Sequence, residues 1–213
     1  MGMAYLVLVR HGLSEYNKLG LWTGWDNPPL APEGFEEAKR AGEALSDIQI
    51  DYAYKSPLLR VSQTLDEILK IVPEGDTAPV IEDEAINERN YGDFTGKNKW
   101  EIKKQVGEEE FLKIRRGWDV KIPNGETLKD VYSREIPYFE QNVFPKLKIG
   151  KNAIFCSSGN ALRALVKHLE NISDDKVSEI EIGTGEVWVY TIDSNGTVVN
   201  KEIRAVNEKK DKI

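Results

Sequence analysis

The first hydrophobic feature of the chain is an apolar run at 5–9, YLVLV, with no polar alternation, which stops at Arg10-His11-Gly12. A short, wholly apolar run ending in a polar loop predicts a strand covered on both faces. Pro28 and Pro29 forbid regular helix, and Pro32 then opens PEGFEEAKRAGEALSD, with Phe35, Ala38 and residues 41–45 on one side of a helix. Residues 51–54, DYAY, predict a second strand. Ser56-Pro57 marks the start of another helix, with Val61, Leu65, Ile68 and Leu69 at helical spacing behind it. Pro79-Val80-Ile81 predicts a third strand, and a charged helical stretch runs over 98–118. After a loop at Pro123-Asn124-Gly125, Thr127 caps a helix expected to reach Asn142, with a bend or break at Pro137. A further apolar strand lies at 153–156, AIFC, and Gly159 opens the helix ALRALVKHLE. Residues 186–203 read as a hairpin turning on DSNG at 193–196, and 206–213, VNEKKDKI, as a frayed tail.

Alternating strands and helices predict an α/β three-layer sandwich, a mostly parallel central sheet flanked by helices. No repeat, low-complexity stretch or linker divides the chain, so 1–213 reads as a single domain, long enough for a substantial core. The 40% hydrophobic and 31% charged composition argues for a globular chain rather than a disordered one. A net charge of -7 disfavours non-specific nucleic-acid binding but leaves room for one locally positive cleft. No run approaches the roughly 18 apolar residues of a membrane span, and the N-terminal run is too short for a signal segment. The single cysteine, Cys156, allows no intramolecular disulfide, and a reducing cytoplasm is the simplest setting. With two histidines and no cluster at metal-ligand spacing, no metal is expected.

The candidate chemistry lies where the first strand stops. Ligands of parallel sheets bind at the carboxyl ends of strands. A neutral imidazole there is a nucleophile toward phosphorus, and Arg10 can hold the equatorial oxygens as charge develops. Gly12 permits close backbone approach. Arg-His-Gly alone is also what a surface turn looks like, but the longer context is specific. The strings LVLVRHGLSEYN and TGWDNPPLAPEG, followed by SPLLRVSQTL, INERNYGDFTGKNKWEI, RRGWD, NGETLKD and SSGNALRALVKHLE, closely resemble the histidine phosphatase superfamily, and within it the cofactor-dependent phosphoglycerate mutase branch. The resemblance covers nearly the whole chain.

The resemblance implies an enzyme that interconverts 2- and 3-phosphoglycerate in glycolysis and gluconeogenesis by a ping-pong route. His11 would carry the phosphoryl group, with 2,3-bisphosphoglycerate as priming donor. Arg10 and Arg60 would clamp that group, and Glu88 would be the acid and base. Tyr91, Lys99, Arg115 and Arg116 would bind the substrate's carboxylate and distal phosphate, arginine suiting this through its bidentate fork. Ser14, Asn17, Thr23, Gly24, Gly159 and Asn160 would make further substrate contacts. A homodimer or homotetramer is implied, with small phosphoglycerates as partners. The sequence departs from the family's pattern at Ser158, which stands where a second histidine usually precedes Gly-Asn. Leu13 replaces a polar residue, and the link between Trp118 and Gly125 is short. A serine brings one neutral donor and no positive charge, so a slowed mutase is expected. The alternatives are a phosphohistidine-type phosphomonoesterase and a catalytically weak phosphoglycerate-binding relative. His168, eight residues into the last helix after Asn160, is too far along it to substitute.

Overall fold

Six strands, β1 Ala4–Arg10, β2 Tyr52–Lys55, β3 Val80–Glu82, β4 Ala153–Ser157, β5 Val187–Ile192 and β6 Val198–Arg204, form one sheet in the order β3-β2-β4-β1-β5-β6. The structure, a computed structural model, describes residues 2–208. Strand β4 runs parallel to β1 and to β2, and β2 parallel to β3, while β5 is antiparallel to both β1 and β6. Five of the six strands therefore share one direction, as the mostly parallel sheet requires.

The unbroken apolar run of β1 serves two cores at once. Leu6 and Leu8 point to one face and Val7 and Val9 to the other, because strand side chains alternate. The first face is covered by α6 (Leu128–Tyr138), α7 (Phe144–Lys148) and α8 (Gly159–Leu169), through Leu128, Val131, Leu147, Leu162 and Leu165, with Phe139 between α6 and α7. The second is covered by α2 (Pro32–Glu43) and α3 (Leu59–Leu69), with Ala41, Val61, Leu65 and Ile68 packed on Val7, Val9 and Ile154. Three layers result. A smaller apolar cluster of Trp22, Tyr91, Phe111, Ile114 and Ile122 stands apart and carries α4 (Lys99–Val106) and α5 (Glu108–Arg116).

Three expectations need correction, and one element is additional. The helical stretch over 98–118 is two helices, because Gly107 adopts φ 83°, which a continuous helix cannot contain. The helix after Thr127 does not break at Pro137. It continues to Tyr138, then widens into a π turn at Phe139–Val143 before α7. The missing Pro137 N–H removes one rung of the ladder, and the wide turn follows directly. The four-residue helix α1 (Glu15–Lys18), capped by Ser14, was not expected. The tail is not free from 206 onward: Asn207 is buried and its Nδ2 donates to Thr184 O at 2.9 Å and to Glu37 Oε1 at 3.0 Å. The rest of the expected frayed tail, 209–213, lies outside the described residues.

Candidate active site

β1 and β4 lie side by side, yet the chain leaves β1 toward α2 on one face and leaves β4 into α8 on the other. This reversal opens a crevice at the carboxyl ends of the two strands. His11 follows β1 there, and Ser158 and Gly159 follow β4. The His11 loop is held tightly. His11 N donates to Ser157 O at 2.9 Å, and Gly12 N donates to Thr64 Oγ1 at 3.0 Å. A Cβ on Gly12 would stand 2.2 Å from Gly34 O, and one on Gly34 would stand 2.2 Å from Leu13 O, so two glycines let this loop rest on the first turn of α2. Leu13 holds the loop through its backbone: its N donates to Glu37 Oε2 at 2.8 Å and its O accepts from Ala31 N.

The imidazole is buried and its tautomer is set by its surroundings. Nδ1 lies 2.7 Å from Gly12 O, a carbonyl that can only accept, so Nδ1 carries the proton. Nε2 is thereby left with its lone pair, which accepts from Arg60 Nε at 3.2 Å. Burial, then the charges of Arg60 and Arg10, hold the His11 pKa well below its ordinary value, so the ring is neutral at physiological pH. Arg60 is itself clamped by carbonyls, Nη1 to Asp26 O and Nη2 to Gly24 O, both at 2.9 Å, and burial brings its pKa down to about 10. Arg10 Nη1 donates to Ile182 O at 2.7 Å.

Around this ring lies a polar cleft. Arg10, His11, Asn17, Thr23, Gly24, Arg60, Glu88, Tyr91, Lys99, Arg115, Arg116, Gly159 and Asn160, all expected from the sequence, line it. Two expected residues do not. The Ser14 hydroxyl caps α1, accepting from Asn17 N at 3.2 Å and donating to Asn17 Oδ1 at 2.9 Å, so it sets the position of Asn17 from behind. Ser158 is fully buried, and its short side chain ends behind the clamp, with Oγ accepting from Arg60 Nη2 at 3.5 Å. Trp22, Arg163, Glu181 and Ile182 line the cleft without having been expected. Arg163 had a legible signal, standing three residues after Asn160 and so on the same face of α8. The position of Glu181 depends on how its loop folds back, which no local pattern in the sequence encodes.

Six cations thus face one cleft, Arg10, Arg60, Lys99, Arg115, Arg116 and Arg163, against two carboxylates, Glu88 and Glu181. The protein as a whole is acidic, at -7, so the cleft concentrates the opposite sign. Burial, with Arg115 and Arg10 nearby, lowers the Lys99 pKa to about 7. Burial and Arg116 lower Arg115 to about 10, and burial with Arg116 does the same to Arg163. Glu88 is fixed through both oxygens, Oε1 accepting from Arg89 N at 2.6 Å and Oε2 from Asn160 N, in the first turn of α8, at 3.3 Å. Asn160 Nδ2 donates to Tyr91 Oη at 2.6 Å. Behind Glu88 two arginines set the backbone. Arg134 Nη2 donates to the carbonyls of Asn87 and Glu88, each at 2.9 Å. Arg89 donates to Ile114 O, Val120 O and Glu126 O, tying the short link at 117–126 to the floor of the site.

His168 stands elsewhere, against Glu140 at 2.7 Å and Tyr132 at 3.1 Å. Cys156 is buried in the opposite core, and burial pushes its thiol far up, so it is no nucleophile. Among the described residues no group of three or more His, Cys, Asp or Glu could hold a metal ion, and no helix is long and apolar enough to cross a membrane.

A three-layer α/β protein with a neutral, lone-pair-bearing imidazole at a strand end, inside a polycationic cleft, belongs among proteins built for histidine-centred chemistry on phosphate-like anions. The chain is a member of the histidine phosphatase superfamily (branch 1), whose family model matches residues 6–203. It is 42% identical over 200 residues to a 2,3-bisphosphoglycerate-dependent phosphoglycerate mutase of Parvibaculum lavamentivorans, covering 93% of this chain and 95% of that one. It is 41% identical over 200 residues to a phosphoglycerate mutase of Schizosaccharomyces pombe, covering 93% and 94%. Among solved structures, the mycobacterial glucosyl-3-phosphoglycerate phosphatase superposes with a TM-score of 0.80 over 96% of this chain and all of that one, at 19% identity. An alpha-ribazole phosphatase from Shigella flexneri superposes at 0.77 over 92% of this chain and 94% of its own, at 22% identity. At those identities the structural likeness speaks for the fold alone.

Proposed function

We propose that this chain is a phosphoglycerate mutase, interconverting 2- and 3-phosphoglycerate through a phosphoryl group carried on His11 Nε2. One observation carries the reading. The cleft that presents the His11 lone pair beside Arg10 and Arg60 also holds a second set of cations, Lys99, Arg115 and Arg116, suited to a ligand with two anionic groups. The substrate assignment is supported by relatives that bear the mutase name at 41% and 42% identity over 93% of the chain.

The donor chemistry fits an acceptor-rich ligand. Arg10 Nε, Trp22 Nε1, Thr23 Oγ1 and Arg116 Nε are buried in residues that line the cleft and have no protein partner. A bound 2,3-bisphosphoglycerate supplies the phosphoryl group that loads the enzyme, and Arg10, Arg60, Lys99, Arg115 and Arg116 are the residues that would hold it. His11 Nε2 forms the bond to phosphorus while the bond from phosphorus to the leaving oxygen breaks. The Nδ1–H···O=C bond to Gly12 spreads the charge the ring acquires. Arg60 gives up its hold on Nε2 and turns its Nε to a phosphoryl oxygen, its two carbonyl bonds keeping it in reach. Glu88 gives the departing oxygen a proton and takes one back from the hydroxyl that receives the group. The same reading extends to a cytoplasmic homodimer or homotetramer of one domain spanning 1–213.

The test is incubation with 3-phosphoglycerate and a trace of 2,3-bisphosphoglycerate, following 2-phosphoglycerate, free phosphate and acid-labile phosphate on the protein. The expected result is isomer with label on His11, both lost in His11→Ala. Free phosphate alone would replace the mutase by a phosphomonoesterase. Tight binding without either product would leave a phosphoglycerate-binding relative.

A further inference from the structure

Of the two carboxylates that line the cleft, Glu88 and Glu181, Glu181 has no part in the reaction above. Its carboxylate accepts from Arg116 Nη2, with side chains only 17% and 18% exposed. The carbonyls on either side are also taken by cleft arginines, Ile180 O by Arg163 Nε at 3.1 Å and Ile182 O by Arg10 Nη1 at 2.7 Å. Three guanidiniums therefore grip three consecutive residues. The two backbone bonds fix the segment, and only the Glu181 side chain is left to move by rotation about its own torsions. Arg116 is not saturated by this contact, because its Nε is buried with no partner.

We propose that Glu181 is a specificity-determining residue of the cleft: an internal carboxylate that occupies Arg116 and is exchanged for the second anionic group of an incoming ligand. The proposal rests on the reading that Arg116 binds that second group. Its consequence is a threshold. A ligand with one anionic group settles against Arg10 and Arg60 and leaves the ion pair of Glu181 with Arg116 in place. A ligand with two must displace Glu181 from Arg116, so its affinity is held down by the strength of that ion pair. The same exchange runs backward when the far group leaves, because the Glu181 carboxylate supplies Arg116 with a partner as the ligand lets go. A two-anion ligand that must turn round or depart between transfers is thereby released faster.

The experiment is calorimetric titration of wild type, Glu181→Gln and Glu181→Ala with two probes, inorganic phosphate and propane-1,3-diol bisphosphate, alongside steady-state mutase kinetics. Both variants are expected to bind the bisphosphate about fivefold more tightly, the size of one partly exposed ion pair, and inorganic phosphate as wild type does. In the assay KM and kcat for 3-phosphoglycerate should both fall. In an Arg116→Gln background the Glu181→Gln change should no longer alter bisphosphate binding. Equal tightening of both probes would reduce Glu181 to a general repulsive charge, and unchanged or weakened bisphosphate binding would make it a structural residue; either overturns the proposal. The two probes do not depend on phosphoglycerate chemistry. A wild-type protein that turns over no phosphoglycerate would sink the mutase reading while the titrations still decided this one.

Discussion

At position 158 a hydroxyl stands where the sequence resemblance implies an imidazole, and it is buried behind Arg60, outside the lining of the cleft. One preorganised donor at a transferring group is typically worth about 10²–10³ in turnover. Ser158→His should therefore raise mutase kcat by about tenfold or more, since Arg60 already covers part of the role. A kcat equal to that of the parent would show that Arg60 supplies everything the imidazole would. Lys99 sets a pH dependence of a definite sign. With its pKa lowered to about 7 in the free cleft, the ammonium is charged below that pH and neutral above it. A bound anion favours the charged form, so binding takes up a proton. KM for 3-phosphoglycerate should rise as pH climbs through 7, by up to about tenfold per unit. Lys99→Arg stays charged and should flatten that rise. His11 contributes nothing in this window, because it is already neutral there. A wild-type KM that is level from pH 6.5 to 8.5 would contradict the assignment.

The elements place these side chains through close backbone contacts at the His11 loop and through apolar packing under α4 and α5. The His11 loop lies against the first turn of α2 only because neither Gly12 nor Gly34 has a Cβ. Gly34→Ala should cost about 1–3 kcal/mol by overpacking, read as a shift in the urea midpoint. It should also lower the rate of His11 phosphorylation while leaving CD-detected helix content intact; an unchanged rate would show that the loop yields without moving the ring. At this scale most of the protein was legible. The fully apolar run before Arg10 marked a strand with two covered faces. Thr127 marked a helix start, and there the Thr127 and Asp130 side chains cap each other's backbone N–H groups. The breaks were less legible. Nothing in 98–118 separates a glycine tolerated in a helix from one that ends it, and the φ of 83° at Gly107 shows which it is only in the structure. Glu135 is another such case. Helical spacing does not reveal that α6 buries it completely, where burial pushes its carboxyl well above the ordinary range and leaves both oxygens without a protein partner.

For the molecule as a whole, strand order turns scattered motifs into one site. Arg10, Arg60, Lys99, Arg115 and Asn160 come from five separate segments, and they meet because β1 and β4 are neighbours with their following helices on opposite faces. The sequence by itself determined the α/β class, the strand that leads into His11, and the residue types able to hold and transfer a phosphoryl group. These are local matters of periodicity, capping and side-chain chemistry. Only the tertiary structure decided which imidazole nitrogen keeps its lone pair, that Ser14 and Ser158 stand behind the cleft rather than in it, and that Arg163 and Glu181 line it. Ser158 and Glu181 depend on contacts between residues far apart in the chain, Arg60 with Ser158 and Arg116 with Glu181, while the His11 tautomer and the Ser14 cap depend on a local backbone geometry that the surrounding fold imposes. In such contacts burial and neighbouring charge, rather than residue type, fix protonation, partner and reach.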